Sequence, residues 1–287
     1  MNFYDVKEIE NFLKENNLSI QKKFSQNFLI REDIAIKIAE SLEITPNSLV
    51  LEIGCGLASL TNKILQKGCQ FIGFEIDWAY IKLLKENFSS NPKFSLIEGD
   101  FLKKFDDIVK SIDKTKFDKI ILVGNLPYGI TKEIFEKVFT SSFNFDTVCF
   151  MIQKEVTEKI TSNPSSDRYS YISIISQINK DIKIVTQLSP EYFYPMPNIH
   201  SDVVLFKKDN TIEILDNNLF FKVAKSLFLS RRKKIKNNLL LSPYLKHFTE
   251  SDFAKALKES NINENIRGET LSLNEIANLT NNLFRMK

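Results

Sequence analysis

Histidine, cysteine and long apolar runs are all scarce in this chain, and each scarcity excludes something. Only His200 and His247 occur in 287 residues, with no thiols clustered beside them, so the donors for a tetrahedral zinc site are missing and no metal is expected. The three cysteines (Cys55, Cys69, Cys149) lie in apolar, strand-like stretches without a Cys-x-x-Cys pair. An odd number so placed predicts reduced thiols and a cytoplasmic location. No uninterrupted apolar run approaches the roughly 20 residues that span a bilayer, so no membrane partner is expected. The start, Met1-Asn2-Phe3-Tyr4-Asp5, has no basic flank leading into an apolar core, and no secretory leader is expected. Internal repeats and low-complexity tracts are also missing.

One absence is local. From 219 to 248 there is no Asp or Glu, while Lys222, Lys225, Arg231, Arg232, Lys233, Lys234, Lys236 and Lys246 supply eight cations. The chain as a whole has 39 basic and 36 acidic residues, so the remainder holds 31 against 36, a net of −5. A slightly acidic body with one basic segment fits a polyanion met on one face; a solvated helix face is the plain alternative. With 43% hydrophobic and 26% charged residues, the composition is that of a folded globular protein, long enough for one large core and a smaller second domain.

The remaining signals run in order along the chain. A helical pattern covers 5–16. The mixed polar and aromatic stretch 21–30 reads as an ordinary loop or as a lid over a ligand. A helix follows at 32–42. Residues 48–53 form an apolar strand that enters Gly54-Cys55-Gly56, a glycine turn at the head of a helix. Ser59 stands where a dinucleotide fingerprint carries its third glycine. The next strand, 70–74, ends at Glu75, about 20 residues on, where a carboxylate accepts hydrogen bonds from ribose hydroxyls. Asp77 is read as a helix cap. A third strand at 93–97 runs to Asp100, which is placed either to cap the next helix or to take an adenine amine.

A fourth strand begins with Lys119-Ile120-Ile121-Leu122 and delivers Val123-Gly124-Asn125-Leu126-Pro127-Tyr128-Gly129. Pro127 removes a donor, fixes its own φ and drives Leu126 out of the helical region. Carbonyls at the strand end then stand beside the flat ring of Tyr128. That combination suits a planar ligand bearing an amine, although such a turn is also met without any function. Strands about 25 residues apart, alternating with helices, imply a parallel sheet with its ligand outside the carboxyl ends, where all four motifs fall. Further strands are predicted at 147–152, 181–188 and 201–206, with a buried helix at 171–178. The prolines of 192–200 argue against any regular element there, and its aromatics read either as a second stacking plate or as a hydrophobic plug. Residues 207–218 read as a linker. Beyond them the pattern is helical, with 231–236 read as part of a basic helix.

Together these segments resemble the ribosomal RNA adenine dimethyltransferases, S-adenosylmethionine-dependent enzymes with a Rossmann-like sheet. The likeness runs from Phe24-Ser25-Gln26-Asn27-Phe28-Leu29 to Arg267-Gly268-Glu269-Thr270-Leu271-Ser272. Within the family, Phe150-Met151-Ile152-Gln153-Lys154-Glu155-Val156, Phe193-Tyr194-Pro195-Met196-Pro197 and Arg231-Arg232-Lys233-Lys234-Ile235-Lys236-Asn237-Asn238-Leu239 look most like the bacterial small-subunit branch. The large-subunit, antibiotic-resistance branch is the alternative, and an RNA-binding ribosome assembly factor with secondary catalysis is another. The resemblance implies an α/β fold: a Rossmann-like methyltransferase domain at 1–207 and a small all-helical RNA-binding domain at 208–287. It implies S-adenosylmethionine as cofactor, held by Asn27 and Leu29 at the methionine end, Gly54 on its backbone, Glu75 on the ribose, Asp100 on the adenine amine, and Asn125.

The implied partner is small-subunit ribosomal RNA or an immature small ribosomal subunit, with two adjacent adenines near the RNA end each dimethylated on N6. Asn125, Leu126, Pro127, Tyr128 and Phe193 form the implied catalytic set, the two rings stacking on opposite faces of the base. Arg231, Arg232, Lys233, Lys234 and Lys236 are the implied RNA contacts. A monomer is the default expectation. Departures from the family pattern are Cys55 for Pro, Gly129 for Asn, Ser170 and Tyr171 for Gly and Arg, and Asn198 and His200 for Lys and Asp.

Overall fold

The computed structural model describes residues 2–16 and 27–286. The lid reading of 21–26 therefore lies outside the described residues. In chain order the elements are α1 (Val6–Glu15), β1 (Phe28–Leu29), α2 (Glu32–Ser41), β2 (Ser48–Ile53), α3 (Ser59–Leu65), β3 (Gln70–Glu75), α4 (Trp78–Phe88), β4 (Phe94–Glu98), α5 (Phe101–Ser111), β5 (Lys119–Asn125) and α6 (Thr131–Phe139). There follow β6 (Thr147–Gln153), α7 (Lys154–Ile160), α8 (Tyr171–Gln177), β7 (Lys180–Leu188), β8 (Phe193–Tyr194), β9 (Ser201–Lys208), α9 (Asn217–Leu227), α10 (Ile235–Leu240), α11 (Glu250–Glu259) and α12 (Leu273–Phe284).

Seven described strands form one sheet in the order β4-β3-β2-β5-β6-β9-β7. The first five are mutually parallel, and β9 runs antiparallel to β6. All six residues of β2 are buried, as a central parallel strand covered on both faces requires. The glycine turn follows because Gly54 and Gly56 take φ of 69° and 50°, a region that a side chain disfavours. A Cβ on Gly56 would also come within 3.1 Å of the Phe28 ring.

Helix starts carry the capping chemistry that their sequences provide. Asp77 accepts from Ala79 N at the head of α4, as read from the sequence. Thr249 with Asp252 and Ser272 with Glu275 close reciprocal boxes at α11 and α12.

The described residues fall into two compact units. The first holds residues up to Ile134, Phe143–Lys154 and Ile182–Lys208; the second holds Phe135–Ser142, Glu155–Asp181 and Asp209 onward. The last junction between the units lies at 208/209 and is one among several, because 135–142 and 155–181 group with the C-terminal helices. Their apolar side chains explain it: Tyr169, Ile174 and Ile178 are buried in one cluster with Phe220, Leu227, Leu271 and Leu279.

Two segments differ from the sequence reading. Residues 192–200 do contain a regular element, since Phe193 and Tyr194 pair antiparallel with Leu29 and Phe28 in a separate two-stranded ribbon. The basic run is not a helix through 231–234. Residues 231–233 turn and bend, Lys234 forms an antiparallel bridge with Arg267, and α10 starts only at Ile235.

Candidate active site

The carboxyl ends of β2, β3, β4 and β5 open onto a cavity of about 360 Å³ within the first unit. Asn27, Leu29, Gly54, Glu75, Asp100, Asn125, Leu126, Pro127, Tyr128 and Gly129 all line it. Every cofactor residue read from the sequence therefore reaches one cavity, at a size ordinary for a small-molecule site.

Glu75 ends β3 and is 6% exposed. Its carboxylate accepts from the backbone N–H of Gly56 at 2.7 Å, Ile76 at 2.8 Å and Asp77 at 2.9 Å. Burial raises its pKa, and the three donors oppose that rise. A carboxylate so held fixes the glycine turn, and its remaining lone pairs are available to hydroxyl groups. Asp100 caps the next helix and also stands at the cavity. Its Oδ1 accepts from Leu102 N at 2.9 Å, capping α5, while the residue also lines the cavity. The second oxygen remains for an amine.

Glu52 had no place in the sequence reading. It is 2% exposed, faces the cavity from β2 and accepts from the Thr61 hydroxyl at 2.7 Å. Burial, aided by the nearby Glu75 charge and opposed by the Thr61 bond, pushes its pKa up to about 8. The signal was present: an acid within an otherwise apolar strand, two residues before Gly54. Ile76 and Leu102 were missed as well, and they give the cavity apolar walls beside Glu75 and Asp100.

At the end of β5 the Asn125 amide donates to the Asn27 carbonyl at 2.7 Å. That bond turns the amide so that its Oδ1 is left as an acceptor. Leu126 N donates to Met151 O at 3.1 Å, pinning the turn to β6, and the Leu126 carbonyl accepts no bond among the described residues. Pro127 has its own carbonyl taken by Ile130 N and the Thr131 hydroxyl. Two acceptors, Asn125 Oδ1 and Leu126 O, thus stand at adjacent positions beside the half-buried ring of Tyr128. The arrangement can accept both hydrogens of a planar amine and stack its ring.

Phe193 is the exception. It is 3% exposed, packs in the core that includes Leu29, Leu188 and Val203, and does not line the cavity. Of the two readings of its loop, this ring takes that of plug. The neighbouring tyrosines are engaged at the surface: Arg31 lies 4.6 Å over Tyr192, and Tyr194 donates to Glu10 at 2.9 Å.

In the second unit the five predicted RNA contacts differ among themselves. Arg231 pairs with Glu269 at 2.8 Å, Lys234 donates to Asn265 at 2.8 Å, and Lys236 pairs with Glu250 at 3.1 Å and Glu264 at 3.5 Å. Arg232 and Lys233 are exposed and form no ion pair among the described residues. The acids absent from the basic segment itself are supplied by the fold from 250–269. Near the departure at Ser170 and Tyr171, Ser170 takes part in a capping box for α8, and Lys225 lies 5.7 Å over the Tyr171 ring. Cys55 is buried, its Sγ filling the space a Cβ on Gly73 would need.

Comparison with known proteins gives the same direction. The family profile described as ribosomal RNA adenine dimethylase matches residues 17–283. A protein of Treponema denticola named ribosomal RNA small subunit methyltransferase A is 36% identical, over 95% of this chain and 92% of its own. A protein of the same name from Clostridium acetobutylicum is 32% identical, over 95% and 97%. Among solved structures, a dimethyladenosine transferase from Plasmodium falciparum superposes with a TM-score of 0.67 at 21% identity, covering 87% of this chain and 94% of its own. The 23S rRNA methyltransferase ErmE gives 0.62 at 21%, covering 90% and 100%. These two likenesses establish the fold.

Proposed function

Because the chain belongs to the ribosomal RNA adenine dimethylase family, we propose that it transfers methyl groups from S-adenosylmethionine to the N6 amines of two adjacent adenines near the end of small-subunit ribosomal RNA. The observation that carries this reading is the pair of acceptors at Asn125 Oδ1 and Leu126 O, set beside Tyr128 in a cavity shared with Glu75 and Asp100. The residues fit the cofactor. Gly54, whose absent Cβ leaves open space, admits its backbone; Glu75 holds the ribose hydroxyls, and Asp100 the adenine amine. When bound, S-adenosylmethionine supplies a methyl already activated on sulfur.

The protein's work is then to raise the nucleophilicity of the target amine and aim it. An adenine amine is a poor nucleophile because its lone pair is delocalised into the ring. In the first transfer, accepting its two hydrogens on Asn125 Oδ1 and Leu126 O favours a more tetrahedral nitrogen with a localised pair; in the second, the one remaining hydrogen is held by one of these two acceptors. Tyr128 stacks on the flipped base and holds the amine on line with the methyl. No role at the base is assigned to Phe193. The helical unit supplies the RNA grip through Arg232 and Lys233, with Arg231, Lys234 and Lys236 shaping the turn. The small-subunit branch is preferred because the near-full-length relatives carry that name. We take the enzyme to act as a monomer in the cytoplasm, on the maturing small subunit; its three cysteines are free and buried, in keeping with a reducing compartment.

The experiment that tests the chemistry is Asn125→Ala in single-turnover methyl transfer, with cofactor affinity measured alongside. A loss of 100-fold or more, on the order of removing a dedicated transition-state hydrogen-bond partner, is expected with the cofactor dissociation constant nearly unchanged. Turnover near that of the wild type would remove Asn125 from the mechanism.

A further inference from the structure

We propose that Ser201 is a positioning residue for the target base, acting through Tyr128; the inference rests on the reading of Tyr128 as the stacking plate. The Ser201 hydroxyl lies 3.2 Å from the phenol oxygen of Tyr128. Ser201 opens β9, is 2% exposed and stands opposite Gln153 of β6. By strand alternation it shares a sheet face with Val203, hence with Met151 and Asn125, and that is the face from which Met151 and Asn125 line the cavity.

The geometry gives the bond a mechanical role. Tyr128 leaves the backbone at a turn, where its ring could rotate about two torsions. A partner at the far end of the ring, on a strand laddered to β6 from Ser201 to Lys207, fixes both. Burial raises the phenol pKa and the Ser201 bond opposes that rise; either hydroxyl can be the donor in this pair. The plane of the plate is thereby set by β9, on the opposite side of β6 from the strand that carries Asn125. A tilted plate would carry the stacked amine away from Asn125 Oδ1 and Leu126 O, and small misplacement is costly when alignment is most of the catalysis. Sequence reading saw Ser201 only as the first residue of a strand.

The test is a double-mutant cycle on the full-length protein with undermethylated small subunits: Ser201→Ala, Tyr128→Phe, the double variant, and Ser201→Thr as rescue. Each single change should lower kcat about fivefold, as loss of one hydrogen bond does, with the cofactor dissociation constant unchanged. The double variant should be no slower than Tyr128→Phe, and Ser201→Thr should recover most of the rate. Losses that multiply to roughly 25-fold in the double variant would show Ser201 acting independently of Tyr128 and overturn the inference. So would a wild-type rate in Ser201→Ala. Tyr128→Ala separates the two levels of the argument. Retained activity there sinks the stacking reading itself, whereas a large loss there beside an unaffected Ser201→Ala sinks only the inference about Ser201.

Discussion

At the scale of single residues, the buried carboxyl of Glu52 makes a claim that stability can check. Its pKa of about 8 in the folded protein lies above the ordinary 4.5. Between those values the folded state keeps a proton that the unfolded chain has released, so the proton favours folding less and less as pH rises. Stability from this group is therefore complete below about pH 4.5, falls through the window and levels off above about 8, by at most about 1.4 kcal/mol per pH unit. Glu75, also raised by burial, adds a slope of the same sign. Glu52→Gln keeps an acceptor for Thr61 and removes the titration. Its melting temperature should fall less than that of the wild type between pH 5.5 and 8; parallel curves would mean that Glu52 is not protonated in the fold. Residue by residue, the sequence was informative about Glu75, Asp100 and Asn125, because Glu75 and Asn125 end strands β3 and β5 and Asp100 follows β4 by two residues, and the carboxyl ends of parallel strands share one edge of the sheet. It was silent about the Asn27 carbonyl as partner of Asn125, a contact across 98 positions that only tertiary structure creates.

Elements show where local pattern stops being enough. The ribbon of β1 and β8 is two residues long on each side, too short to produce any periodicity, and it joins segments about 165 positions apart. It matters because Leu29 lines the cavity and its strand partner is Phe193, so the ribbon that holds this cavity-lining segment also draws Phe193 into the core. A ribbon between such distant segments cannot be read from spacing. The basic run failed differently. Its composition suits a helix, but 231–233 turn and Lys234 bridges to Arg267 instead, and ion pairs from 250–269 neutralise part of the charge. Arg232 and Lys233 are then the cations most available to phosphate. Replacing both with Ser should reduce the slope of log K against log salt for RNA binding by roughly 1.4 to 1.8, with little change in melting temperature. An unchanged slope would mark the turn as a solvated surface. Arg231→Ser, by contrast, also breaks the pair with Glu269 and disturbs the fold around it.

Across the whole molecule, what carried over from sequence to structure was convergence rather than any single motif. A Gly-x-Gly turn after β2, an acid at the end of β3, another just past β4 and an Asn-Leu-Pro-Tyr turn at the end of β5 are each weak signals. A parallel sheet brings all of their positions to one edge, and one cavity there contains them. What did not carry over was the grouping of 135–142 and 155–181 with the C-terminal helices, since burial in a shared core leaves no mark at a chain boundary. The central claim concerns the substrate as well as the chemistry. The measurement that tests it most directly is transfer of labelled methyl from S-adenosylmethionine to small ribosomal subunits lacking this modification, with large-subunit RNA as control and the product nucleoside identified. The account predicts label as N6-dimethyladenosine in the small subunit alone. Label confined to large-subunit RNA, or tight binding of small subunits without transfer, would contradict it.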